Sequence, residues 1–344
     1  MKKVLLMGLT IAACAFKKDS ELHLKVPRYA PRPIFDFKKT PLQPHSIELG
    51  RTLFYDPLLS ADSTVSCASC HSPYNAFAHT DHNLSHGIGD KIGTRNAPAI
   101  FNVAWQNTFM WDGAINHIDM QALAPISHPK EMGTNINTVV GRLQSSSMYR
   151  QLFKSAFGDT AVTGERTLKA LAQFELTLVS FNAKYDRVKQ GKEKYTPQEQ
   201  NGYTLFVKHC NSCHSEPLFS NYQFACNGLP VDTNLKDWGR WNVTHESKDS
   251  LQFKIPSLRN LSYSYPYMHD GRFKKIGQVI AHYTSGIKTN NSIAPQLKQP
   301  ILLNEHEKTD LIAFLLTLND SSFIFNRQYH FPPRLLPQNE GKRK

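Results

Sequence analysis

Two pentapeptides constrain this chain more than anything else in it: Cys67-Ala68-Ser69-Cys70-His71 and Cys210-Asn211-Ser212-Cys213-His214. Each reads C-x-x-C-H, the attachment signature of a c-type haem. Two thiols add across the vinyl groups of one porphyrin edge, and the adjoining His turns its imidazole onto the iron as proximal ligand. At this Cys and His content roughly 0.005 such pentapeptides are expected by chance, and the chain holds two. A zinc ribbon would need its C-x-x-C knuckles roughly 15–20 residues apart. Here Cys70 and Cys210 lie 140 positions apart, and a His follows each knuckle. The reading is two covalently attached haems, one on Cys67, Cys70 and His71, the other on Cys210, Cys213 and His214.

A length of 344 residues leaves room for two domains, and 40% apolar with 11% aromatic content suits a globular chain. Four of the six Cys are spent on haem, so no disulfide framework is implied; Cys226 reads as a small buried hydrophobe. The formal charge of +12 does not call for nucleic acid. No nucleic-acid motif is present, basic residues are dispersed except at Gly341–Lys344, and two haems would add four propionates. A basic face for an acidic electron-transfer partner is a further reading.

The chain opens as a targeting segment, with Lys2 and Lys3 before the apolar run Val4–Leu9. That run is too short to span a bilayer as a retained helix. It ends in Ile11-Ala12-Ala13-Cys14, which resembles the lipobox of bacterial lipoproteins, where the Cys is acylated. The alternative is an ordinary signal peptide with Cys14 incidental. Either way the chain is expected to be exported to the periplasm, as haem attachment outside the cytoplasm requires. The expected plan is a signal peptide over 1–14, a Lys- and Pro-rich tether over 15–40 and a first haem domain over 41–190. A second haem domain over 191–330 and a basic tail over 331–344 complete it.

Helical spacing dominates. Leu49, Leu53 and Phe54 mark a helix ahead of the first motif, over Ser46–Asp56. Thr196-Pro197-Gln198-Glu199 is a capping-box start for another ahead of the second. Both helices carry the phrase G-x-x-L-F (Gly50–Phe54, Gly202–Phe206), so the chain reads as a duplicated cytochrome c unit. Further helices are expected over Val139–Phe157, Glu165–Val188, Lys274–Tyr283 and, with Asn304 as N-cap, Asn304–Leu318. The expected fold is all-α, two cytochrome c-like haem domains packed against each other.

From Ser46 to Leu318 the sequence resembles the bacterial dihaem cytochrome c peroxidase family, including its MauG-type branch. Beyond the two haem motifs, the matching phrases are Glu48-Leu49-Gly50-Arg51, Gly93-Thr94-Arg95-Asn96-Ala97-Pro98, Met110-Trp111-Asp112-Gly113 and Pro129-Lys130-Glu131-Met132. Leu258-Arg259-Asn260 and Pro266–Phe273 complete them. The resemblance implies that His71 serves a peroxidatic haem, His214 an electron-storing haem, and Trp111 a relay between them. It gives Glu131 the acid–base role on bound peroxide and Gln121 a hydrogen-bonding role beside it, twenty and ten residues after Trp111. It also implies a Ca²⁺ site formed by Asn96 with the backbone carbonyls of Ser264 and Pro266.

Two departures stand out. Typical members place a distal His shortly before the Asn-Ala-Pro phrase; here that position is Ile88, with His86 nearest and His79 and His82 in the same loop. An open sixth position at the first iron, as in MauG-type proteins, is the simpler expectation, with His86 as ligand the alternative. Fourteen residues after His269, typical members place an axial Met; here Tyr283 stands there, as in the MauG type, with Met268 as competitor.

The activity implied is reduction of hydrogen peroxide to water, with electrons from a small cytochrome c or cupredoxin. One alternative is MauG-type oxidation of a protein side chain or other bulky substrate; another is a dihaem electron carrier without catalysis. The membrane is expected to be met through the N-terminal lipid alone, and family members are often homodimers.

Overall fold

The computed structural model describes residues 22, 24 and 26–335, so Cys14 and residues 336–344 lie outside the described residues. The half carrying the first motif contains α1 (Pro44–Tyr55), the single turn α2 (Cys67–Cys70), α3 (Ile118–Gln121), α4 (Leu123–Ser127), α5 (Ile136–Ser145), α6 (Ser147–Phe157) and α7 (Gly164–Thr177). The second half contains α8 (Lys184–Lys189), α9 (Pro197–His209), α10 (Trp241–Thr244), α11 (Ile276–Ala281), α12 (Glu305–Leu316) and α13 (Ser321–Ile324). Two two-residue strands, β1 (Phe224–Ala225) and β2 (Phe253–Lys254), pair antiparallel and form the one sheet among the described residues. The fold is mostly helical, as expected, with that small addition.

The repeated G-x-x-L-F phrase has a physical job. A Cβ placed on Gly50 of α1 would lie 1.8 Å from the Ala170 carbonyl oxygen of α7, and one on Gly202 of α9 would lie 1.9 Å from the Asp310 oxygen of α12. Only a bare Cα lets the two backbones touch there. Four residues on, Phe54 packs edge-on against Phe174 at 5.2 Å, and Phe206 packs at a tilt against Phe314 at 5.1 Å. All four rings are fully buried, each worth about 1.5–3 kcal/mol in area removed from water. The duplication is therefore one of packing as well as of motif.

The caps form as expected. Thr196 Oγ1 accepts from Glu199 N at 3.2 Å and Glu199 Oε2 accepts from Thr196 N at 2.7 Å. Asn304 and Glu307 make the same reciprocal pair at 2.9 and 2.8 Å. Three expected helices are shorter. The one over Val139–Phe157 breaks at Ser146, which ends α5 and caps α6 by accepting from Tyr149 N. The one over Glu165–Val188 stops at Thr177, and the chain runs extended to Ala183, whose N–H donates to Asp186 Oδ2 at 2.8 Å to start α8. The one over Lys274–Tyr283 ends as α-helix at Ala281 and widens into a π-helical turn, His282–Gly286.

Two hydrophobic cores result. The first gathers α1 and α5–α7 around Phe54, Phe77, Phe153 and Phe174; the second gathers α9, α11 and α12 around Phe206, Phe219 and Phe314. Tyr185 of α8 joins the second core, whereas Leu218, Tyr222, Phe323 and Ile324 join the first although they follow the second motif. The segment expected as a tether is packed where it is described. Val26, Ala30, Phe35 and Phe37 lie on the first core, Trp105 Nε1 donates to Pro31 O at 2.8 Å, and the Tyr29 hydroxyl donates to Asp186 Oδ1 at 2.6 Å. Its apolar residues, interleaved with Lys and Pro, give it a face to bury. No helix among the described residues is long and apolar enough to cross a membrane.

Candidate functional site

The first motif is set by one helical turn. Ser66 caps α2, its N–H donating to Ser69 Oγ at 3.1 Å, and the turn brings Cys67 and Cys70 to one face. His71 ends the turn with its Nδ1 2.8 Å from the Phe77 carbonyl. With the ring proton on Nδ1 that N–H donates to the carbonyl, leaving Nε2 bare for a metal. Burial lowers the His71 imidazole to about 4, so it is neutral at pH 7, the state a ligand needs. His214 repeats the arrangement: Nδ1 lies 3.1 Å from Pro256 O and 3.3 Å from Phe219 O, and burial lowers the ring to about 4. Burial also raises the Cys70 thiol to about 11 and the Cys210 thiol to about 12.

A cavity of about 430 Å³ lies over the first motif, and Cys67, Cys70, His71, Trp111, Gln121 and Glu131 all line it. Gln121 arrives on the last residue of α3. Glu131 sits in the turn after α4, its Oε1 3.7 Å from His128 Nδ1. Burial raises the Glu131 carboxyl, and the nearby His128 opposes the shift. Of the three loop histidines only His86 lines this cavity. Its ring is stacked on His82 at 3.9 Å and lies 3.7 Å from the exposed Asp90. Ile88 is turned to Gly133, where an added Cβ would lie 2.2 Å from Ile88 Cδ1, and its N–H donates to Glu131 O at 2.8 Å.

A second cavity, of about 230 Å³, lies over the second motif and is lined by Cys210, Cys213, His214, Met268 and Tyr283. Tyr283 stands in the π-helical turn, a feature frequent at functional positions. Burial raises its phenol to about 12, and Asn227 hydrogen-bonds it in opposition. The same Asn227 donates through Nδ2 to Met268 Sδ at 3.5 Å. Asn96, Ser264 and Pro266 line this cavity too. Asn96 Nδ2 donates to Asn83 O at 3.0 Å, and among the described residues its amide oxygen takes no hydrogen bond. Among the described residues no group of three or more His, Cys, Asp or Glu is arranged to hold a metal ion, so a cation there would rest on neutral oxygens.

The two cavities share a wall that includes Asn96, Pro98, Trp111, Lys254, Ile255 and Pro256. Trp111 is fixed in it by its indole N–H, which donates to Asn96 O at 2.9 Å. Each cavity thus holds a Cys pair, the neutral His that follows it and a mainly apolar lining, a donor set that fits a c-type haem.

Comparison with known proteins agrees. Residues 44–194 match the family described as di-haem cytochrome c peroxidase, and residues 199–319 match cytochrome c. The chain is 36% identical over 300 residues to the methylamine utilization protein MauG of Methylorubrum extorquens, covering 85% of this chain and 82% of that protein. It is 35% identical over 286 residues to the cytochrome c551 peroxidase of Nitrosomonas europaea, covering 81% of each. The chain belongs to the di-haem cytochrome c peroxidase family. It is therefore an oxidoreductase of two c-type haems, built from two cytochrome c-like domains. A solved MauG-like protein associated with microbial copper homeostasis superposes with a TM-score of 0.79 at 29% identity, covering 90% of this chain and 99% of that one. The diheme peroxidase BthA of Burkholderia thailandensis, at 22% identity and a TM-score of 0.72, shares the fold.

The buried Glu175 and Tyr222 and the half-buried Lys254 also line the first cavity of this di-haem peroxidase, without having been singled out from sequence. Burial raises Glu175 to about 8 and lowers Lys254 to about 7, Asp112 opposing the latter. Glu175 carried a readable signal, being a charge inside the apolar stripe of Leu168, Leu171, Phe174 and Leu178. Tyr222 and Lys254 carried none, since they reach the first cavity from the other half of the chain.

Proposed function

We propose that the chain reduces hydrogen peroxide to water, H₂O₂ + 2e⁻ + 2H⁺ → 2H₂O, with electrons from a small cytochrome c or cupredoxin. The observation that carries this reading is the meeting of Glu131, Gln121, Trp111 and His71 on one cavity beside Cys67 and Cys70. When bound, the haems supply electron storage and the chemistry that breaks the O–O bond. Cys67 and Cys70 would hold the first and His71 would ligate it; Cys210, Cys213 and His214 would do the same for the second. Glu131 is the acid–base group: its carboxyl, raised by burial, can take the proton of the inner peroxide oxygen and return it to the outer one. Gln121 orients the peroxide by hydrogen bonding. Trp111, in the shared wall, is the relay position. The engagement of the His86 ring with His82 and Asp90 supports an open sixth position on the His71 side. Asn96, Ser264 and Pro266 would supply oxygens to Ca²⁺. The domain limits at 41–190 and 191–330, export with Cys14 as lipid anchor, a periplasmic site of action and a homodimer belong to the same proposal.

Peroxide turnover with reduced cytochrome c tests it. The wild type should turn over, and Glu131→Gln should lose roughly 10²–10⁴-fold in kcat, the usual worth of a general acid–base group. An inactive wild type would refute the reading. A second reading, MauG-type oxidation of a bulky or protein substrate, is favoured by the buried Tyr283 beside His214. A pure electron carrier has no use for Glu131 and Gln121 in one cavity.

A further inference from the structure

Thioether attachment fixes a c-type haem by its vinyl edge. The two propionates leave from the opposite edge as anionic groups that only accept hydrogen bonds. Wherever that edge of a haem on Cys67 and Cys70 is enclosed by the cavity, it needs protein donors. Arg95 lines the cavity, but its charge is already committed to two carboxylates, Asp237 at 2.6 and 2.8 Å and Asp112 at 2.6 Å. Lys254 is not so committed. Its Nζ donates to Gln106 Oε1 and to Thr108 O, both at 2.8 Å, and among the described residues nothing takes its third N–H. It lies 5.8 Å from the Phe109 ring centroid, and Asp112 is the one carboxylate that offsets its burial. Burial lowers its ammonium, and an anion beside the third N–H would hold it charged. The Tyr222 hydroxyl lines the same cavity and is fully buried, and among the described residues it has no hydrogen-bond partner; nor has the Thr108 hydroxyl, on the residue that holds Lys254. Buried polar groups of a native protein are normally paired, so these unspent donors point to an acceptor that the protein itself does not provide.

We propose that Tyr222 and Lys254, both from the second half of the chain, hold the propionate edge of the haem carried by Cys67 and Cys70. The proposal rests on the haem assignment of the first motif. It makes that haem a bridge: its vinyl edge belongs to one half and its carboxylate edge to the other. Among the described residues Lys254 is also the one Lys or Arg that lines both cavities, so its charge acts on both haems.

The test uses the holoprotein with Tyr222→Phe, Lys254→Met and Lys254→Arg, reading haem content, the propionate bending bands in resonance Raman spectra, and the first haem's reduction potential. Loss of a donor leaves the carboxylates more negative and disfavours the reduced iron. Lys254→Met should lower the first haem's reduction equilibrium roughly tenfold, about 59 mV for one electron. Tyr222→Phe should shift it less in the same direction, both should move the propionate bands, and Lys254→Arg should restore most of the potential. Tyr222→Phe, which removes one oxygen and keeps the ring, decides the matter if Lys254→Met does not fold. Two haems per chain with wild-type bands and potential in the variants would overturn the proposal alone. Fewer than two haems in the wild type would overturn the haem assignment and this proposal with it.

Discussion

Trp111 is held at both ends of its residue: its indole donates to the Asn96 carbonyl at 2.9 Å, and its own carbonyl accepts from Lys254 N at 2.7 Å. One contact belongs to the first half of the chain and the other to β2, so the ring is locked in the wall between the cavities. Trp111→Phe keeps an aromatic ring but loses the indole donor and much of the π-surface. Stopped-flow oxidation of the reduced holoprotein by peroxide should show inter-haem transfer slowed at least roughly tenfold, with haem content and spectra of the resting protein unchanged. An unchanged rate would make Trp111 a core residue only.

Tyr283 and Met268 share Asn227 as a partner and line the same cavity as His214. A phenolate ligand stabilises ferric iron and lowers the potential. Tyr283→Phe should therefore change the ferric spectrum of the second haem and raise its potential, whereas Met268→Leu should leave both in place. A changed spectrum and a lowered potential in Met268→Leu, with Tyr283→Phe unchanged, would give the ligand position to Met268.

Gly50 and Gly202 bear the two helix crossings on which the halves are built. At each, a methyl group would meet a backbone carbonyl, which cannot swing aside as a side chain can. Gly50→Ala and Gly202→Ala should each cost about 3 kcal/mol, the upper part of the range for overpacking. Equilibrium urea unfolding monitored by circular dichroism measures this, and a change below about 0.5 kcal/mol at either site would contradict the packing.

Glu175 predicts a pH dependence of stability. Its carboxyl is held protonated up to about 8 by burial, whereas in an unfolded chain it ionises near ~4.3. Between those values the folded state binds the extra proton, so this group's contribution falls as pH rises, by up to ~1.4 kcal/mol per pH unit. Glu175→Gln removes the term. Urea unfolding of wild type and variant between pH 5 and pH 8 should therefore show the variant gaining on the wild type as pH increases. Parallel curves would show that Glu175 is ionised in the fold.

What was legible in the sequence was local. C-x-x-C-H places two thiols and an imidazole within one turn, and the caps at Thr196 and Asn304 use residues three positions apart. The breaks at Ser146 and after Thr177 were not legible from apolar spacing, because each is decided by a polar cap inside a continuous stripe. Arg259 shows the same limit for a motif. Its phrase supports the family resemblance, yet its job is a fully buried bidentate pair with Asp186, at 2.8 and 2.7 Å. Spacing alone cannot find a partner 73 positions away. Tyr222 and Lys254 were hidden for the same reason, since only the folded chain brings them to the cavity of Cys67.

Phe323 and Ile324 lie in the first core, among rings from residues 54–174. The core of the first half is thus finished by residues that come after the second haem motif and after α12. A nascent chain that has emerged only as far as the first haem motif has no way to close that core. A fragment that stops before Phe323 leaves Phe77 and Phe101 without that cover, so the first half should be less stable alone than within the whole chain.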